Sequence, residues 1–459
     1  MRSPWSNRDW RKALVYGLGL SGLAASRLLL SRGVEVVAVD ERPEDQLKLG
    51  SLRETPGFQL VAGGELKTLP ANLDGIVVSP GVPSDKALLE AARQAGLSVI
   101  SEVELAFPLL DGPVIGITGT NGKSTTTELT GAILRAAGRD VEVCGNIGEP
   151  ISGRVDGPEG RVFVVELSSF QLENLETFQP EVAALLNLSP DHLDRYASFD
   201  DYVAAKGEIF RNQGAENLAV INGDDPAVVA LTARARARRR MFSRSSEVKD
   251  GCFLADGTVW EAVPGEAPSA LFERRDLGLD GAHNLENAMA ASLLARPFGA
   301  ESSHLKVALK SFQGLPHRME RIGKGGRVAF YNDSKGTNVA ATAKSLEDLP
   351  DGSVHLILGG VHKGDDPSLL AGLIQRKARR LYLIGESASV FGAALEGVVP
   401  GETSGTLEKA VASASRQAAP GEVVLLSPAC ASFDQFSSYA QRGEAFRALV
   451  SALPEAIHG

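Results

Sequence analysis

Cysteine is scarce in this sequence: only Cys144, Cys252 and Cys430 occur among 459 residues. Cysteines so far apart fit neither a disulfide framework nor a zinc site, and they indicate a reducing compartment. Long apolar runs are also missing, since none approaches the roughly 18 residues that a membrane-spanning helix needs. The segment Met1–Lys12 is polar and charged and lacks the apolar core of a signal peptide. We therefore expect a cytoplasmic protein without a membrane span.

Excess positive charge is absent as well. The net charge of −10 argues against a general nucleic-acid binder, because phosphate backbones select basic surfaces. The one local exception is the basic run Arg234–Arg240 (RARARRR), which we interpret as a solvated helix face or loop. Hydrophobic residues make up 43% and charged residues 23%, as in ordinary globular proteins. A chain of this length is too long for one core, so we expect about two to four domains.

A glycine-rich loop, Gly116–Thr127 (GITGTNGKSTTT), is the most informative stretch of the sequence. It lies between a short apolar run and a helix-like segment, so backbone N–H groups and a helix N-terminus are arranged to bind phosphate. Lys123 can then reach the outer phosphates of a nucleotide, and Ser124 can offer its hydroxyl to Mg²⁺. The spacing departs from the ordinary GxxxxGK[ST] pattern, because Ile117 stands where the first glycine belongs. The alternative is a tight strand-to-helix turn with a solvated lysine.

A second glycine loop, Gly17–Gly22 (GLGLSG), lies in the first βαβ pattern of the chain. It follows a predicted strand, Ala13–Tyr16, and the next predicted strand, Val34–Val39, ends in Asp40. A GxGxxG loop with an acid about 20 residues further on recognises a diphosphate and a ribose. NAD is the default ligand of such a loop, although nothing in the pattern specifies a nicotinamide. The loop Ser79–Pro83 (SPGVP) follows another predicted strand, and it is either a ligand loop or a structural turn.

Polar residues follow further predicted strands in the middle of the chain. Glu166 ends an apolar strand in the same α/β unit as the phosphate loop, where it can hold Mg²⁺ directly or through water, or cap a helix. His192 lies in a loop beyond the next strand, and we favour a functional role for it over a structural one. The segment Tyr202–Arg211 is predicted to be a helix with Lys206 near its apolar face. A partly buried lysine there is expected to pair with an acid.

Taken together, these motifs resemble the Mur ligase family, whose ATP loop shares the unusual GTNGKST spacing. The resemblance continues through a GxHNxxN segment and a hinge-region arginine motif, and it spans the chain from Gly17 to Gly443. Two later segments, Asn332–Asn338 and Ser427–Gly443, narrow the resemblance to the branch of the family that adds D-glutamate. The four segments after the ATP loop are Gly281–Asn287, Gly314–Glu320, Asn332–Asn338 and Ser427–Gly443.

The resemblance implies an α/β fold with three domains. Residues 1–101 are expected to form an N-terminal Rossmann-like domain for the UDP-linked substrate, and residues 102–314 a central P-loop ATPase-type domain with a parallel sheet. Residues 315–459 are expected to form a C-terminal Rossmann-like domain for the amino acid. The implied reaction joins D-glutamate to UDP-N-acetylmuramoyl-L-alanine through an acyl phosphate in peptidoglycan precursor synthesis. It uses ATP and two Mg²⁺ ions but no NAD, and the protein is expected to be a monomer.

The resemblance also implies individual site residues, four of them catalytic: Lys123, Glu166, His192 and Lys206. The implied ATP residues are Gly119, Thr120, Asn121, Gly122, Lys123, Ser124, Thr125, Asn284, Arg318 and Asp333. The implied UDP-substrate residues are Leu20, Ser21, Asp40, Arg42, Ser79, Gly81, Asn146 and His192. The implied D-glutamate residues are Lys335, Thr337, Lys363, Ser432, Phe433 and Tyr439. The implied metal ligands are Ser124, Glu166, His192 and Lys206, the last as a carbamate.

The carbamate has a physical requirement. Carbon dioxide reacts only with a neutral amine, so Lys206 must be desolvated and its pKa lowered. Among alternative functions, other Mur ligase steps with a different amino acid remain open. Folylpolyglutamate synthase lacks a Rossmann domain ahead of the ATP loop, and a non-enzymatic nucleotide-gated module would require the loss of Lys123, Glu166 or His192. A nicotinamide-dependent oxidoreductase would leave the same residues unexplained.

Overall fold

Three sheets of mainly parallel strands organise the chain, which confirms the α/β class. The structure is a computed structural model, and it describes residues 9–191, 195–279, 281–312, 314–323, 326–347, 349–362, 364–454 and 457. The chain divides into two compact units, Met1–Phe312 and Gln313–Gly459. The first unit holds two of the sheets and the second holds the third. The described residues include no helix that is both long and apolar enough to cross a membrane.

The first sheet has five parallel strands in the order β3-β2-β1-β4-β5. The strands are β1 (Lys12–Tyr16), β2 (Glu35–Asp40), β3 (Phe58–Ala62), β4 (Gly75–Val78) and β5 (Ser98–Ser101). The helices are α1 (Leu20–Ser31) and α2 (Ala87–Gln94). The predicted strands before and after Gly17–Gly22 are confirmed. The sequence analysis missed β3, because this edge strand is short and half exposed and therefore carries a weak apolar signal.

The second sheet has nine strands in the order β14-β13-β12-β11-β10-β9-β6-β8-β7. The β12–β13 and β13–β14 pairs are antiparallel, and the other pairs are parallel. The strands are β6 (Val114–Thr118), β7 (Val141–Gly145), β8 (Val162–Glu166), β9 (Val182–Leu185), β10 (Leu218–Asn222), β11 (Arg238–Ser243), β12 (Gly251–Ala255), β13 (Thr258–Ala262) and β14 (Ser269–Glu273). The helices are α3 (Glu102–Ala106), α4 (Lys123–Ala136), α5 (Ser169–Leu172), α6 (Phe199–Gly207), α7 (Pro226–Thr232), α8 (Ala282–Ala295) and α9 (Ser302–Ser311).

The order of the strands in this second sheet determines where its loops meet. Strand β6 lies between β8 and β9, and all three are parallel. Their carboxyl ends therefore share one edge, which is where open α/β sheets bind ligands. The phosphate loop follows β6, Glu166 ends β8, and the segment toward His192 follows β9.

The basic run Arg234–Arg240 is only in part the solvated loop that we expected, since Arg234 and Arg236 are exposed in a loop but the end of the run is not. Its last three residues begin β11, and Arg240 is buried at 6% exposure. The Arg240 guanidinium donates to Asp250 at 2.8 Å and to Glu261 at 2.9 Å. A buried arginine is tolerated when carboxylates compensate its charge. A pattern of local charge could not reveal these partners, because Asp250 directly precedes β12 and Glu261 lies on β13.

The third sheet has six strands in the order β15-β16-β20-β17-β18-β19, with only β15 antiparallel. The strands are β15 (Glu320–Ile322), β16 (Ala329–Asn332), β17 (Val354–Gly359), β18 (Ala378–Ile384), β19 (Gly401–Gly405) and β20 (Val423–Leu426). The helices are α10 (Val339–Glu347), α11 (Ala371–Lys377), α12 (Ala388–Ala394), α13 (Leu407–Gln417) and α14 (Tyr439–Ser451). This is the doubly wound arrangement expected for the C-terminal part. The domain limits at residues 101 and 314 stay predictions.

Two buried glutamates on α3 differ in how their charge is satisfied. Glu104 accepts hydrogen bonds from the backbone N–H groups of residues 176–178. Glu102 accepts one backbone hydrogen bond, from Ser152 at 2.5 Å, and its second oxygen has no partner among the described residues. Burial therefore raises the pKa of Glu102 to about 7.

We expect Glu102→Gln to flatten the pH dependence of stability. The folded state holds a proton on Glu102 that the unfolded state releases above its ordinary pKa of 4.5. This contribution is present below pH 4.5 and is lost as the pH rises through about 7, and it amounts to at most about 3 kcal/mol. Urea unfolding at pH 5 and pH 8.5 measures it. Equal pH slopes for the wild type and the variant would contradict the prediction, and Glu104→Gln is the control, expected to destabilise at both pH values.

Candidate active site

The phosphate loop begins a helix without a side-chain cap. Helix α4 starts at Lys123, and its N-cap is Gly122 in a left-handed conformation with φ of 81°. A side chain at position 122 would strike the amide oxygen of Asn287. Other helices of the chain begin with a capping hydroxyl, as Ser198 and Ser438 do for α6 and α14. The first N–H groups of α4 thus remain for an anion, as phosphate binding at a helix N-terminus requires.

Two lysine ammonium groups meet at one carbonyl oxygen of this loop. Lys123 Nζ donates to the carbonyl oxygens of Gly119 and Thr120, both at 2.8 Å. Lys206 Nζ donates to the same Gly119 oxygen, also at 2.8 Å. The structure thus brings together Lys123 and Lys206, both of which the resemblance assigned to one site. Two cations sharing a neutral acceptor repel each other unless an anion or a change of protonation relieves them.

The environment of Lys206 suits a neutral amine. Its side chain is 1% exposed, and burial, reinforced by the charge of Lys123, lowers its pKa well below the ordinary value. Glu166 and Asp191 oppose this effect only in part. Within the described part of the chain, Lys206 has no hydrogen bond or ion pair with an acid, contrary to our expectation, and its Nζ lies 4.8 Å from the ring centroid of Tyr202. Lys206 thus meets the physical requirement for carbamate formation.

Within the described part of the chain, only one of the two carboxylate oxygens of Glu166 has a hydrogen-bond partner. One of its oxygens accepts a hydrogen bond from the Asn146 amide at 2.7 Å. The other oxygen is buried and has no partner among the described residues. Such an oxygen, with the buried hydroxyl of Ser124 on α4, fits Mg²⁺, which prefers carboxylate and hydroxyl oxygens and keeps substrate phosphates as further ligands. His192 lies outside the described residues.

Asn146 and two other polar residues, Asn187 and Tyr202, hold the site in ways that the sequence analysis did not foresee. Asn146, which we assigned to the UDP substrate, orients Glu166. Asn187 exchanges two hydrogen bonds with the backbone of Asn121, at 2.8 and 3.1 Å. The hydroxyl of Tyr202 lies 3.0 Å from that of Thr120. These partners follow β7 and β9 or lie on α6, so only the sheet order brings them to the loop.

Helix α8 packs its first turns against the start of α4. The amide oxygen of Asn287 accepts a hydrogen bond from the hydroxyl of Thr126 at 3.2 Å, and it occupies the space that a larger residue than Gly122 would need. We did not assign Asn287 to the site from the sequence, although the GxHNxxN segment around Asn284 contains it. Asn284 lies one turn earlier on the same helix.

A cleft of about 570 Å³ lies beside the second glycine loop in the first unit. It is lined by the loop, by the end of β2 and by the SPGVP segment. Asn146, on the second sheet, does not line it. The cleft brings together six of the eight residues predicted for the UDP substrate: Leu20, Ser21, Asp40, Arg42, Ser79 and Gly81.

Asp40 and Ser79 tie the walls of this cleft to the glycine loop. The Asp40 carboxylate accepts hydrogen bonds from the N–H of Leu18 at 2.7 Å and from the Arg42 guanidinium at 2.9 and 2.8 Å. Burial opposes ionisation, but these donors outweigh it and lower the pKa of Asp40 to about 2. The Ser79 hydroxyl donates to the carbonyl oxygen of Gly17 at 2.6 Å. SPGVP is therefore a cleft wall as well as a turn.

Three cleft residues gave no signal in the sequence. The Tyr16 hydroxyl donates to Glu41 at 2.9 Å, and Lys86 forms ion pairs with Glu41 at 2.7 Å and Glu65 at 2.6 Å. The charge pattern around these residues is that of an ordinary surface. They line the cleft only because β1, β2 and the segment before α2 converge there.

Arg195 links the cleft wall to the second sheet. Its guanidinium donates to the carbonyl oxygens of Pro80 at 3.2 Å and Val82 at 2.9 Å. It also lies 4.4 Å from the ring centroid of Phe170 and 3.5 Å from the carboxylate of Glu173. Arg195 thereby holds the SPGVP segment close to Phe170 and Glu173, which follow β8.

The second unit brings the predicted amino-acid residues to adjacent strand ends. Lys335 and Thr337 follow β16, whereas Ser432 and Phe433 follow β20, its neighbour in the sheet. Tyr439 begins α14. Five of the six predicted residues thus cluster by topology, because parallel neighbours end at the same edge. The sixth, Lys363, lies outside the described residues.

The side chains of this cluster differ in exposure. The hydroxyl of Ser432 is buried and has no partner among the described residues. Phe433 is 73% exposed, and Lys335 Nζ lies 6.0 Å from the ring centroid of Tyr439. A buried hydroxyl without a protein partner is suited to donate to a ligand oxygen.

Asp333, predicted to meet ATP, is buried within the second unit. Its carboxylate accepts hydrogen bonds from the hydroxyls of Ser345 at 2.6 Å and Ser427 at 2.7 Å, and from the N–H of Met319 at 3.3 Å. Burial raises its pKa to about 6, although the serine hydroxyls and the charge of Arg318 oppose this. Asp333 thus holds the turn that carries Arg318, and contact of either residue with ATP stays a prediction.

The fold and the loop at Lys123 define an α/β enzyme that handles nucleotide phosphates. Residues 11–101 match the family described as Mur ligase MurD-like, N-terminal domain, and residues 117–295 match the Mur ligase middle domain. Residues 317–430 match the Mur ligase, glutamate ligase domain. The chain belongs to the Mur ligase family.

The relatives cover almost the whole chain. UDP-N-acetylmuramoylalanine–D-glutamate ligase of Acidobacterium capsulatum is 44% identical over 446 residues, 96% of each chain. The ligase of the same name from Geotalea daltonii is 45% identical over 448 residues, 96% of this chain and 98% of that one. The solved structure of UDP-N-acetylmuramate–alanine ligase from Thermotoga maritima shares the fold, with a TM-score of 0.55, 17% identity, and coverage of 96% of this chain and 99% of that one.

We expect Arg195→Ala to loosen the SPGVP segment without unfolding the protein. The change removes the hydrogen bonds to Pro80 and Val82. Because such bonds to a charged donor contribute about 1.5–3 kcal/mol, local opening should rise by about tenfold or more. Hydrogen exchange of the amides of residues 79, 81, 82 and 84 measures it.

The control for this experiment is Arg53→Ala. It removes an exposed ion pair with Glu44 in the connection between β2 and β3 of the first sheet, the sheet that the SPGVP segment also connects to. It should leave exchange in residues 79–84 unchanged. Uniformly faster exchange in the Arg195 variant, or unchanged exchange in this segment, would contradict the prediction.

Proposed function

We propose that this chain is an ATP-dependent ligase that adds D-glutamate to UDP-N-acetylmuramoyl-L-alanine in peptidoglycan precursor synthesis. The observation that carries the proposal is the identity of 44–45% with ligases of that name over nearly the full length of both chains. The identity includes the amino-acid domain, where Mur ligases differ most in substrate. Other Mur ligase steps are the alternative. The oxidoreductase hypothesis rested on the loop Gly17–Gly22, which lies within the matched N-terminal Mur domain.

The chemistry has two steps. The L-alanine carboxylate of the substrate attacks the γ-phosphate of ATP, which gives an acyl phosphate and ADP. The amine of D-glutamate then attacks the acyl carbonyl, and phosphate leaves. Both steps bring anions together, so the site must supply positive charge and exclude water. Lys123 covers the outer phosphates, supported by the N–H groups of residues 119–125.

Mg²⁺ would be held by Ser124 and Glu166, and a second ion by His192 and the Lys206 carbamate. The metal neutralises phosphate charge and polarises the transferred group. The buried unpaired oxygen of Glu166 and the low pKa of Lys206 support these assignments. Asn146 keeps the Glu166 carboxylate in place, and we propose this as its main role.

The remaining residues divide between the substrates. We propose that the cleft at Gly17–Gly22 holds the UDP group, with Arg42 and the N-terminus of α1 facing the diphosphate. Asn284, Arg318 and Asp333 complete the ATP site. D-Glutamate binds at the strand ends of the second unit, through Lys335, Thr337, Lys363, Ser432, Phe433 and Tyr439. The enzyme is proposed to act as a cytoplasmic monomer with domains at residues 1–101, 102–314 and 315–459.

We expect phosphate release that depends on UDP-N-acetylmuramoyl-L-alanine, ATP and D-glutamate together. A panel of L-alanine, L-glutamate, D-glutamate, L-lysine and meso-diaminopimelate tests the amino-acid step. Activity confined to D-glutamate supports the proposal, because the third domain selects the nucleophile. Turnover with L-lysine or diaminopimelate instead would overturn it in favour of another Mur ligase step.

We expect Lys206 to carry one CO₂ as a carbamate in the active enzyme. The lowered pKa supplies the neutral amine that CO₂ requires. Carbon-13 NMR after incubation with labelled bicarbonate should reveal one carbamate signal per chain, and native mass spectrometry one added CO₂. Lys206→Arg, which keeps a charge but cannot form a carbamate, should lose both the signal and nearly all activity. Full wild-type activity with a free amine would remove the carbamate from the mechanism.

A further inference from the structure

A buried arginine on α14 is the strongest feature that the mechanism leaves unused. Arg442 lies near the start of the helix, and the residue is 1% exposed. Its Nε donates to the hydroxyl of Ser334 at 2.9 Å, and one Nη donates to the Ser334 carbonyl at 2.9 Å and the Cys430 carbonyl at 3.1 Å. The other Nη donates to the carbonyl oxygen of Ala431 at 3.3 Å. One guanidinium thus binds two loops that are about a hundred residues apart in sequence.

All of these acceptors are neutral, unlike those of the other deeply buried arginine in the chain. Arg240 is compensated by Asp250 and Glu261. Arg442 has no hydrogen bond to a carboxylate among the described residues, and burial lowers its pKa to about 10, so it remains charged at neutral pH. The charges of Asp434 and Asp333 oppose this effect only in part. Burial of a charge without a hydrogen-bonded carboxylate is costly, and an apolar side chain would fill the space at less cost. A role beyond packing is therefore indicated.

The two loops that Arg442 joins carry the predicted D-glutamate residues. Ser334 directly precedes Lys335, and Ala431 directly precedes Ser432. The buried hydroxyl of Ser432 has no partner within the described part of the chain. A polar group in that state points to a ligand rather than to the fold.

A third loop is attached to the same group. Val361 and Ala431 exchange backbone hydrogen bonds at 2.9 and 3.0 Å. A side chain at Gly360 would strike the Ala431 carbonyl and approach the Arg442 guanidinium. The Ser334 hydroxyl, in turn, donates to the carbonyl oxygen of Tyr439 at 2.8 Å. The loops after β16, β17 and β20 and the start of α14 are thus assembled around one cation.

We propose that Arg442 is a positioning residue for the amino-acid substrate: it sets the spacing of the loops that carry Lys335 and Ser432, and its buried positive charge favours a dicarboxylate there. This inference rests on the proposed function, because D-glutamate brings two carboxylates to these strand ends. Arg442 does not touch the substrate, so it acts through the main chain of Ser334 and Ala431 and through its field.

Two variants separate the geometry from the charge. Arg442→Lys keeps the charge but loses the planar fork that reaches both loops, and Arg442→Met loses both. We expect KM for D-glutamate to rise by about 10-fold in the lysine variant and about 100-fold in the methionine variant, as the loss of one or two strong hydrogen bonds predicts. KM for ATP and for UDP-N-acetylmuramoyl-L-alanine should stay within about twofold. Acyl phosphate trapped by hydroxylamine without D-glutamate should form as in the wild type.

The matched control is Arg447→Met on the same helix. Among the described residues, Arg447 pairs with Glu320 and Glu444 and donates no hydrogen bond to the loops, so KM for D-glutamate should not change. If the Arg442 variants are unstable, Ser334→Ala removes one acceptor and the tie to Tyr439, and KM for D-glutamate should rise by about threefold or more. An equal rise of all three KM values, or none for the amino acid, overturns the inference. If the wild type prefers another amino acid, the proposed function fails, and KM for that amino acid in the same variants still decides the role of Arg442.

Discussion

The carbonyl oxygen of Gly119 accepts hydrogen bonds from two lysines, and the chemistry of the first unit depends on this contact. Two ammonium groups at one neutral oxygen repel each other unless an anion lies nearby or one of them loses its proton. Phosphate, a carboxylate and a carbamate are the anions that the proposed reaction brings to this point. Two further observations point the same way. One Glu166 oxygen has no hydrogen-bond partner among the described residues, and the pKa of Lys206 is low, so that a ligand can bind the first group and a modification can form on the second.

Buried and half-buried arginines serve two different purposes in this chain. Arg240 lies between carboxylates within a sheet, where it can only stabilise the fold. Arg195 and Arg442 instead donate mainly to backbone carbonyls of loops, and those loops line the cleft in one unit and carry predicted ligand residues in the other. A guanidinium suits this task because its fork binds several carbonyl oxygens at once and cannot lose its charge near neutral pH. The acceptors therefore distinguish the two roles: an arginine that donates to carboxylates within a sheet stabilises the fold, whereas one that donates to loop carbonyl oxygens positions a site.

The two glycine loops illustrate how far sequence patterns reach. Both were correctly predicted as strand–loop–helix junctions, because glycine spacing and apolar runs are local signals. The sequence pattern alone could not identify the ligand of the second loop, since a GxGxxG loop indicates a diphosphate but does not specify the molecule that carries it. The similarity over the whole chain decided between an oxidoreductase and a ligase. The edge strand β3 was missed, because half-exposed strands carry weak periodicity.

The sequence by itself determined the α/β class and the strand–loop–helix junction of the phosphate loop. Its motifs indicated the Mur ligase family, and that resemblance assigned Lys123, Lys206 and Glu166 to one site. Only the tertiary structure decided that Asn146 orients Glu166, that Arg240 is buried, and that Arg442 joins two loops. The physical reason is distance along the chain: periodicity and loop spacing depend on neighbours in sequence. Hydrogen bonds between residues far apart in sequence depend instead on the order in which parallel strands assemble, and that order brings their carboxyl ends to one edge.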